Sequence, residues 1–525
     1  MMVRISKFNT MNRRNFLKNS GITGISLAAG SLVACQPSQE KETAQKKHGN
    51  HPFELDEWTI PQLQAAMEKG EYTAAALTQL YLNRIAAIDK NGPALNAVIE
   101  INPDAINIAN ALDKEREDGK VRGPLHGIPV LIKDNIDTAD KMQTTAGALA
   151  LEGNIASKDA FIIKQLRDAG AVLLGKTNLS EWANFRSSKS CSGWSSRGGQ
   201  TKSAYLLTHN PCGSSSGSGV AASANLCAIA IGTETDGSIT CPSSVAGLVG
   251  LKPTVGLWSR SGIIPISHTQ DTAGPMGRTV TDVAILLSAL TGTDKNDTAS
   301  VAAAGKALPD YTKQLHKNAL AGKRIGIEKK LPGDNQYLHA LQRTCVQSLT
   351  ALGATVIEID YLDKINELGQ HEYNVLKYEF KAGVNNYLSQ ANAKVKNLAD
   401  VIAFNKSNED KAMPYFKQDT LEACNELGGL ESPEYKTALQ ASYAGSRALL
   451  DEQFKTQQLD AIAGLTMGPS CAIDRWYGDR WGDVSLTSPA AISGYPHITV
   501  PAGEVYALPV GFSFFGPAFS EPALL

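Results

Sequence analysis

Apolar residues over 60–88 recur at helical spacing, with Leu63, Met67, Ala74, Leu77, Leu80, Ile85 and Ile88 in register, so the body of the protein is expected to open with helices. The period then changes. Gly127-Ile128-Pro129-Val130-Leu131-Ile132-Lys133 is a short, unbroken apolar run, the pattern of a strand buried on both faces, and its end presents Lys133. Residues 161–169 predict a helix, 171–174 a strand and 226–231 another buried strand. Residues 323–327, a helix around 338–352 and residues 354–359 repeat the β-α-β rhythm. This alternation places the chain in the α/β class, as one large domain with a mixed, mostly parallel β-sheet covered by helices. The interval 294–460 is helix-rich and polar, suited to covering a site built elsewhere.

The first residues follow a different logic. Residues 1–34 carry Arg4, Lys7, Arg13, Arg14 and Lys18 and no acidic residue. Arg13-Arg14-Asn15-Phe16-Leu17-Lys18 is a twin-arginine sequence, followed by a weakly apolar stretch over 22–34 and by Leu32-Val33-Ala34-Cys35. The pattern looks like a Tat signal ending in a bacterial lipobox. The expected organisation is a lipoprotein signal over 1–34, a lipidated Cys35 and polar tether over 35–52, and a catalytic domain over 53–525. That predicts a protein of the bacterial cell envelope, attached to the membrane through Cys35 only. The alternative is a basic, frayed terminus ahead of an ordinary cysteine.

Composition narrows the function classes. The 525 residues hold 50 Lys+Arg against 52 Asp+Glu, with 42% hydrophobic and 19% charged residues. This excludes a disordered chain, a collagen-like repeat and a polycationic nucleic-acid binder. Setting aside the five basic residues of 1–34 leaves an acidic body. Eight cysteines are too sparse for a disulfide scaffold. Cys191, Cys212, Cys227 and Cys241 lack C-x-x-C spacing, so no metal site is expected.

Between Ser187 and Ser223 there are 12 serines and 6 glycines in 37 residues. Composition alone reads as a flexible linker. The flanks, however, are buried-strand candidates, and glycines and serines also suit a backbone-rich catalytic loop. Three motif readings compete around it. Gly170-Ala171-Val172-Leu173-Leu174-Gly175-Lys176-Thr177 matches a phosphate-binding loop literally, but its middle is the apolar strand itself. Gly213-Ser214-Ser215-Ser216-Gly217 matches a nucleophile elbow that would make Ser215 the nucleophile of an α/β-hydrolase esterase. The residues before it form a poor strand, and the downstream His268 and His497 have no evident role.

The third reading uses more of the chain. Lys133 at a strand end, the loop Gly213-Ser214-Ser215-Ser216-Gly217-Ser218-Gly219, and Gly232-Thr233-Glu234-Thr235-Asp236-Gly237-Ser238-Ile239-Thr240-Cys241-Pro242 resemble the amidase signature family. The likeness extends through Leu125-His126-Gly127-Ile128-Pro129, Gly250-Leu251-Lys252-Pro253-Thr254 and Asp271-Thr272-Ala273-Gly274-Pro275. Ser214 and Ser238 stand 24 positions apart, as that family keeps its bridging and nucleophilic serines. The resemblance implies Ser238 as nucleophile, Ser214 as proton relay after a cis peptide, and Lys133 as base. It implies no cofactor. Backbone N–H groups of Thr235, Asp236, Gly237 and Ser238 would form the oxyanion hole, with Ser215 assisting by hydrogen bonding. Glu234 to Ser238 and Trp182-Ala183-Asn184-Phe185 look like the peptide amidase branch, which removes ammonia from C-terminal peptide amides.

The chemistry is consistent with these roles. A serine hydroxyl needs an adjacent base, and a lysine serves only when neutral, which requires desolvation. The expected partners are a small-molecule or peptide amide and water, with no nucleic acid. Within the same chemistry, a general aliphatic or aryl amidase and an amidotransferase-like subunit are alternatives. Outside it, the alternative is a catalytically silent envelope-binding lipoprotein. Asp236 and Ser216 stand where the broad family has glycine, and Thr240 where many members have arginine. Trp182, Phe185 and Trp194 fit a substrate groove or core packing equally well.

Overall fold

In the computed structural model, residues 53–525 are described, and Leu55–Leu525 form one compact unit. The segments 1–34 and 35–52, with Cys35, lie outside the described residues. The apolar runs become one eleven-stranded sheet. Its strands are β1 (Val98–Ile101), β2 (Pro129–Lys133), β3 (Val172–Thr177), β6 (Ile229–Glu234), β7 (Val249–Lys252), β8 (Thr272–Gly277), β9 (Arg324–Glu328), β10 (Thr355–Ile359), β11 (Ala461–Leu465), β12 (His497–Val505) and β13 (Leu508–Phe515). The short β4 (Trp194–Ser195) and β5 (Gly199–Gln200) pair separately. The order across the large sheet is β1-β3-β2-β6-β8-β7-β12-β13-β11-β9-β10.

The sheet is mixed, as its pattern predicts, and the parallel pairs gather on two flanks. β3-β2-β6 and β11-β9-β10 run parallel, joined by helical crossovers, while the strands between them and the β1 edge pair antiparallel. Within the antiparallel middle, β12 and β13 escape a β-α-β reading because a two-residue turn joins them. Tyr506 and Ala507, both at positive φ (56° and 60°), close the β12–β13 hairpin with the backbone twist that a two-residue turn requires. Strands β2, β3 and β6 are buried along their whole length, which explains why they read as apolar runs rather than alternations.

Helices Ile60–Glu68 and Ala74–Arg84 open the domain, the first held by a reciprocal Thr59/Gln62 cap. The polar interval between β10 and β11 is helical, and its long helix Gly369–Gln390 packs over the site region. Phe380, Val384 and Leu388 of that helix bury Trp182 and Phe185. Trp194 packs on Tyr415 and Phe416, so all three aromatics left open by sequence serve in the core. Arg186 is fully buried between the Trp194 and Phe416 rings, 4.8 and 4.2 Å from their centres, and paired with Glu181. Among the described residues, no helix is long and apolar enough to cross a membrane.

Candidate active site

Lys133 ends β2, and the parallel register Ile132↔Ile231 brings the end of β6 beside it. Lys133 Nζ therefore donates to Thr233 Oγ1 at 2.8 Å and to the Thr233 carbonyl at 3.3 Å. Its third contact is Ser214 Oγ, also at 2.8 Å. The ammonium is completely buried, and burial pushes its pKa down from 10.5 to about 7, against the opposing pull of the Asp271 and Glu234 carboxylates.

The serine-rich segment is a buried structural element. The Gly213–Ser214 peptide is cis, and helix Ser216–Ser223 follows directly, buried at every position. A Cβ at Gly217 would stand 2.2 Å from the Ala97 carbonyl and 2.4 Å from that of Asn178, so the helix reaches the sheet backbone only because this residue is glycine. Most of the hydroxyls are engaged locally. Ser215 Oγ donates to the Thr233 carbonyl (3.0 Å) and accepts from Thr233 N–H (3.1 Å), Ser216 Oγ donates to Cys212 O, and Ser218 Oγ to Ile231 O. Ser215 thus ties the loop to β6 and has no histidine partner. His497 bonds Ser513 inside the sheet, where burial pushes its pKa down to about 3, and the exposed His268 lies against Glu379. Lys176, in the phosphate-loop pattern, is buried in β3 on Ile136 O and Thr144 Oγ1.

Ser238 sits in the turn between β6 and helix Thr240–Val245. Glu234 braces that turn by accepting the N–H groups of Ile239 (2.7 Å) and Thr240 (2.9 Å), and it also accepts from the Thr240 hydroxyl. Gly237 has φ +74°, and a Cβ there would meet Thr487 at 3.0 Å. Among the described residues, no oxygen accepts from the N–H groups of Asp236, Gly237 and Ser238, leaving these three donors for a ligand. The two serine loops meet where Ser215 N–H donates to the Ser238 carbonyl at 3.2 Å; no hydrogen bond links Ser214 Oγ to Ser238 Oγ among those described. Lys133, Ser214, Ser215, Thr235, Asp236, Gly237 and Ser238 are thus gathered around one corner of the sheet.

Several partners were not legible in sequence. Cys212 and Cys241 form a disulfide that clamps the Ser214 loop to the helix after Ser238, a single bridge rather than a disulfide scaffold. Neither count nor spacing carries the fold that brings two residues 29 apart into contact. Thr233 lay inside a noted motif without a role. Gln270, from a separate loop, reaches both the Thr235 carbonyl (3.3 Å) and Glu372 of the long helix (2.8 Å). Burial and the nearby Asp236 carboxylate push the Glu372 pKa up to about 8.

A pocket of about 260 Å³ is lined by Gly213 and Gly237, the residues before the two serines, and by Asp236, the Cys212–Cys241 bridge, Asn184 and Trp481 among others. A larger cleft of about 780 Å³ touches Thr233 and Thr235 but runs out along Arg260 and Tyr387, and includes neither Gly213 nor Gly237. The smaller pocket thus borders the residues that immediately precede Ser214 and Ser238.

Comparison with known proteins bears on the family and the fold. A family model described as Amidase matches residues 76–525. The crystal structure of native peptide amidase from Stenotrophomonas maltophilia is 47% identical, with a TM-score of 0.86 over 90% of this chain and 96% of that one. An amidase family protein from Bacillus anthracis strain Ames is 37% identical, with a TM-score of 0.81 over 90% and 89%. A glutamyl-tRNA(Gln) amidotransferase subunit from Methylobacillus flagellatus is 34% identical over 488 residues, 89% of this chain and 95% of that one. The chain belongs to the amidase family, the amidase signature enzymes, and is an amide-hydrolysing enzyme.

Proposed function

We propose that this protein hydrolyses C-terminal peptide carboxamides to the free acid and ammonia through an acyl-enzyme on Ser238. The observation that carries the reading is the 2.8 Å contact from a fully buried Lys133 Nζ to Ser214 Oγ. With its pKa lowered to about 7, Lys133 is substantially neutral at neutral pH and accepts a proton from Ser214 Oγ. Ser214 in turn takes the proton of Ser238 Oγ as that oxygen bonds to the carboxamide carbon, the serine–serine contact closing when substrate binds. The backbone N–H groups of the 235–238 turn receive the oxyanion. Collapse breaks the C–N bond, the relayed proton leaves with ammonia, and water cleaves the resulting ester. The 47% identity to a peptide amidase supports a peptide amide as the substrate.

Ammonia release from N-acylated amino-acid amides tests the activity. Ser238→Ala should lower kcat by at least about 10⁴ and abolish trapping of the acyl group by hydroxylamine. An unchanged rate in that variant overturns the mechanism. We also propose export by the Tat route and lipid anchoring at Cys35; a disulfide beside the site fits an oxidising compartment. Envelope delivery that survives Arg13→Lys with Arg14→Lys refutes the route, and unchanged membrane attachment in Cys35→Ala refutes the anchor.

A further inference from the structure

The smaller pocket is lined by two carboxylates, Asp236 and Asp479, and by no lysine, arginine or histidine. The two carboxylates are differently occupied. Asp479 is saturated: its oxygens accept from Ser192 N–H (2.9 Å), Ser192 Oγ (2.5 Å), Asn210 Nδ2 (2.6 Å) and Trp481 Nε1 (3.3 Å). It holds the pocket wall together and has nothing left to offer a ligand. Asp236 is held through Oδ2 by Ser488 Oγ at 2.7 Å, and its other oxygen has no partner among the described residues. The unpartnered oxygen is itself buried, the residue as a whole is partly exposed, and it stands two residues before Ser238. Burial pushes the Asp236 pKa up, opposed by the Ser488 and Thr487 side chains and by the charge of buried Lys252.

Resting on the peptide-amide reading above, we propose that Asp236 is a specificity-determining residue: its carboxylate receives the N–H that flanks the scissile carboxamide, and its charge drives out the carboxylate product. A C-terminal amino-acid amide carries such a donor on its α-nitrogen, whereas a simple acyl amide carries none. The substrate is neutral at the reacting carbon and the product is an anion, so an acidic pocket without cations distinguishes them after the reaction as well as before it. Thr240 reinforces this, since its hydroxyl is turned onto Glu234 and no guanidinium is present there to hold an acid.

The test uses the full-length protein and three neutral amides of similar size: N-acetyl-alaninamide, its N-methylated analogue lacking the donor, and 2-methylbutanamide, which has no α-nitrogen. The wild type should prefer the first over the other two by about 10² or more in kcat/KM, because a site built to bond an N–H rejects analogues without one. Asp236→Ala should compress that preference to below about tenfold. Asp236→Asn, which removes charge but keeps an acceptor, should lower the inhibition constant of N-acetyl-alanine by about tenfold. Equal use of all three amides by the wild type overturns the assignment and leaves the amidase reading intact, as does a preference that survives in Asp236→Ala. Loss of the preference without tighter acid binding in Asp236→Asn overturns the product-expulsion half. If no amide with or without the donor releases ammonia, the peptide-amide reading falls and the assignment with it.

Discussion

The decisive quantity in this site is the proton affinity of Lys133. A pKa lowered from 10.5 to about 7 represents on the order of 5 kcal/mol of differential interaction, dominated by burial of the ammonium. If the neutral amine is the base, kcat/KM should rise roughly tenfold from pH 6 to pH 8 and then level off, because a group of pKa about 7 goes from about one-tenth to nine-tenths neutral over that span. A solvated lysine would instead give a rise of roughly a hundredfold over the same interval and continue to climb to about pH 10. Removing the Asp271 charge with Asp271→Asn takes away a group that raises the Lys133 pKa, so the midpoint should move to lower pH. The stability consequence has a definite sign. The folded pKa lies below the unfolded one, so between about pH 7 and pH 10.4 the unfolded chain binds the extra proton and native stability rises with pH. Below that window the burial penalty is fully present. Lys133→Met removes it while forfeiting the hydrogen bonds to Ser214 and Thr233, for a net gain on the order of 2 kcal/mol at pH 6 that shrinks toward pH 10. The assays are initial rates of ammonia release from pH 5.5 to 10 and urea unfolding of wild type and Lys133→Met at three pH values. A pH–rate profile that climbs without a plateau, together with a Met variant less stable than wild type at every pH, would refute the buried-base argument.

Three further outcomes follow from particular contacts. Cys212→Ser opens a loop of 29 residues and should lower unfolding free energy by about 3 to 4 kcal/mol, an effect that a thiol reductant reproduces in the wild type alone. Glu234→Ala frees the N–H groups of Ile239 and Thr240 in the turn carrying Ser238, so kcat should fall by about 10² with a smaller change in KM, and Glu234→Gln should recover part of the loss. Arg186→Leu strands the buried Glu181 carboxylate and should destabilise by about 3 to 5 kcal/mol in thermal unfolding; adding Glu181→Leu should return a measurable share.

How much of this was legible in sequence depends on whether a feature is local. The fully buried strands β2, β3 and β6 stand out as apolar runs because burial on both faces removes the alternation, and Lys133 is conspicuous as the charge that ends one of them. The central hairpin is less visible: Tyr506 and Ala507 occupy turn positions at positive φ that glycine or asparagine would ordinarily mark. The serine-rich segment misleads by composition, since small residues report close backbone approach here rather than flexibility. Gly217 shows the cause, with two carbonyls where a side chain would stand. Thr233, Gln270, Ser488 and the disulfide partners derive their roles from neighbours far along the chain, and no spacing rule conveys them.

Those separations bear on how the enzyme comes into being. Lys133 meets Ser214 across 81 positions and Thr233 across 100, while Asp236 is anchored by Ser488 across 252. Contacts of such high order require long loops to close before any of them is rewarded, so the catalytic group cannot assemble from one local stretch of chain. A chain cut so that the piece carrying Ser488 is lost would keep the Lys133, Ser214 and Ser238 sequence yet leave Asp236 without its Ser488 partner. Turnover is therefore a sensitive readout of complete maturation of the chain.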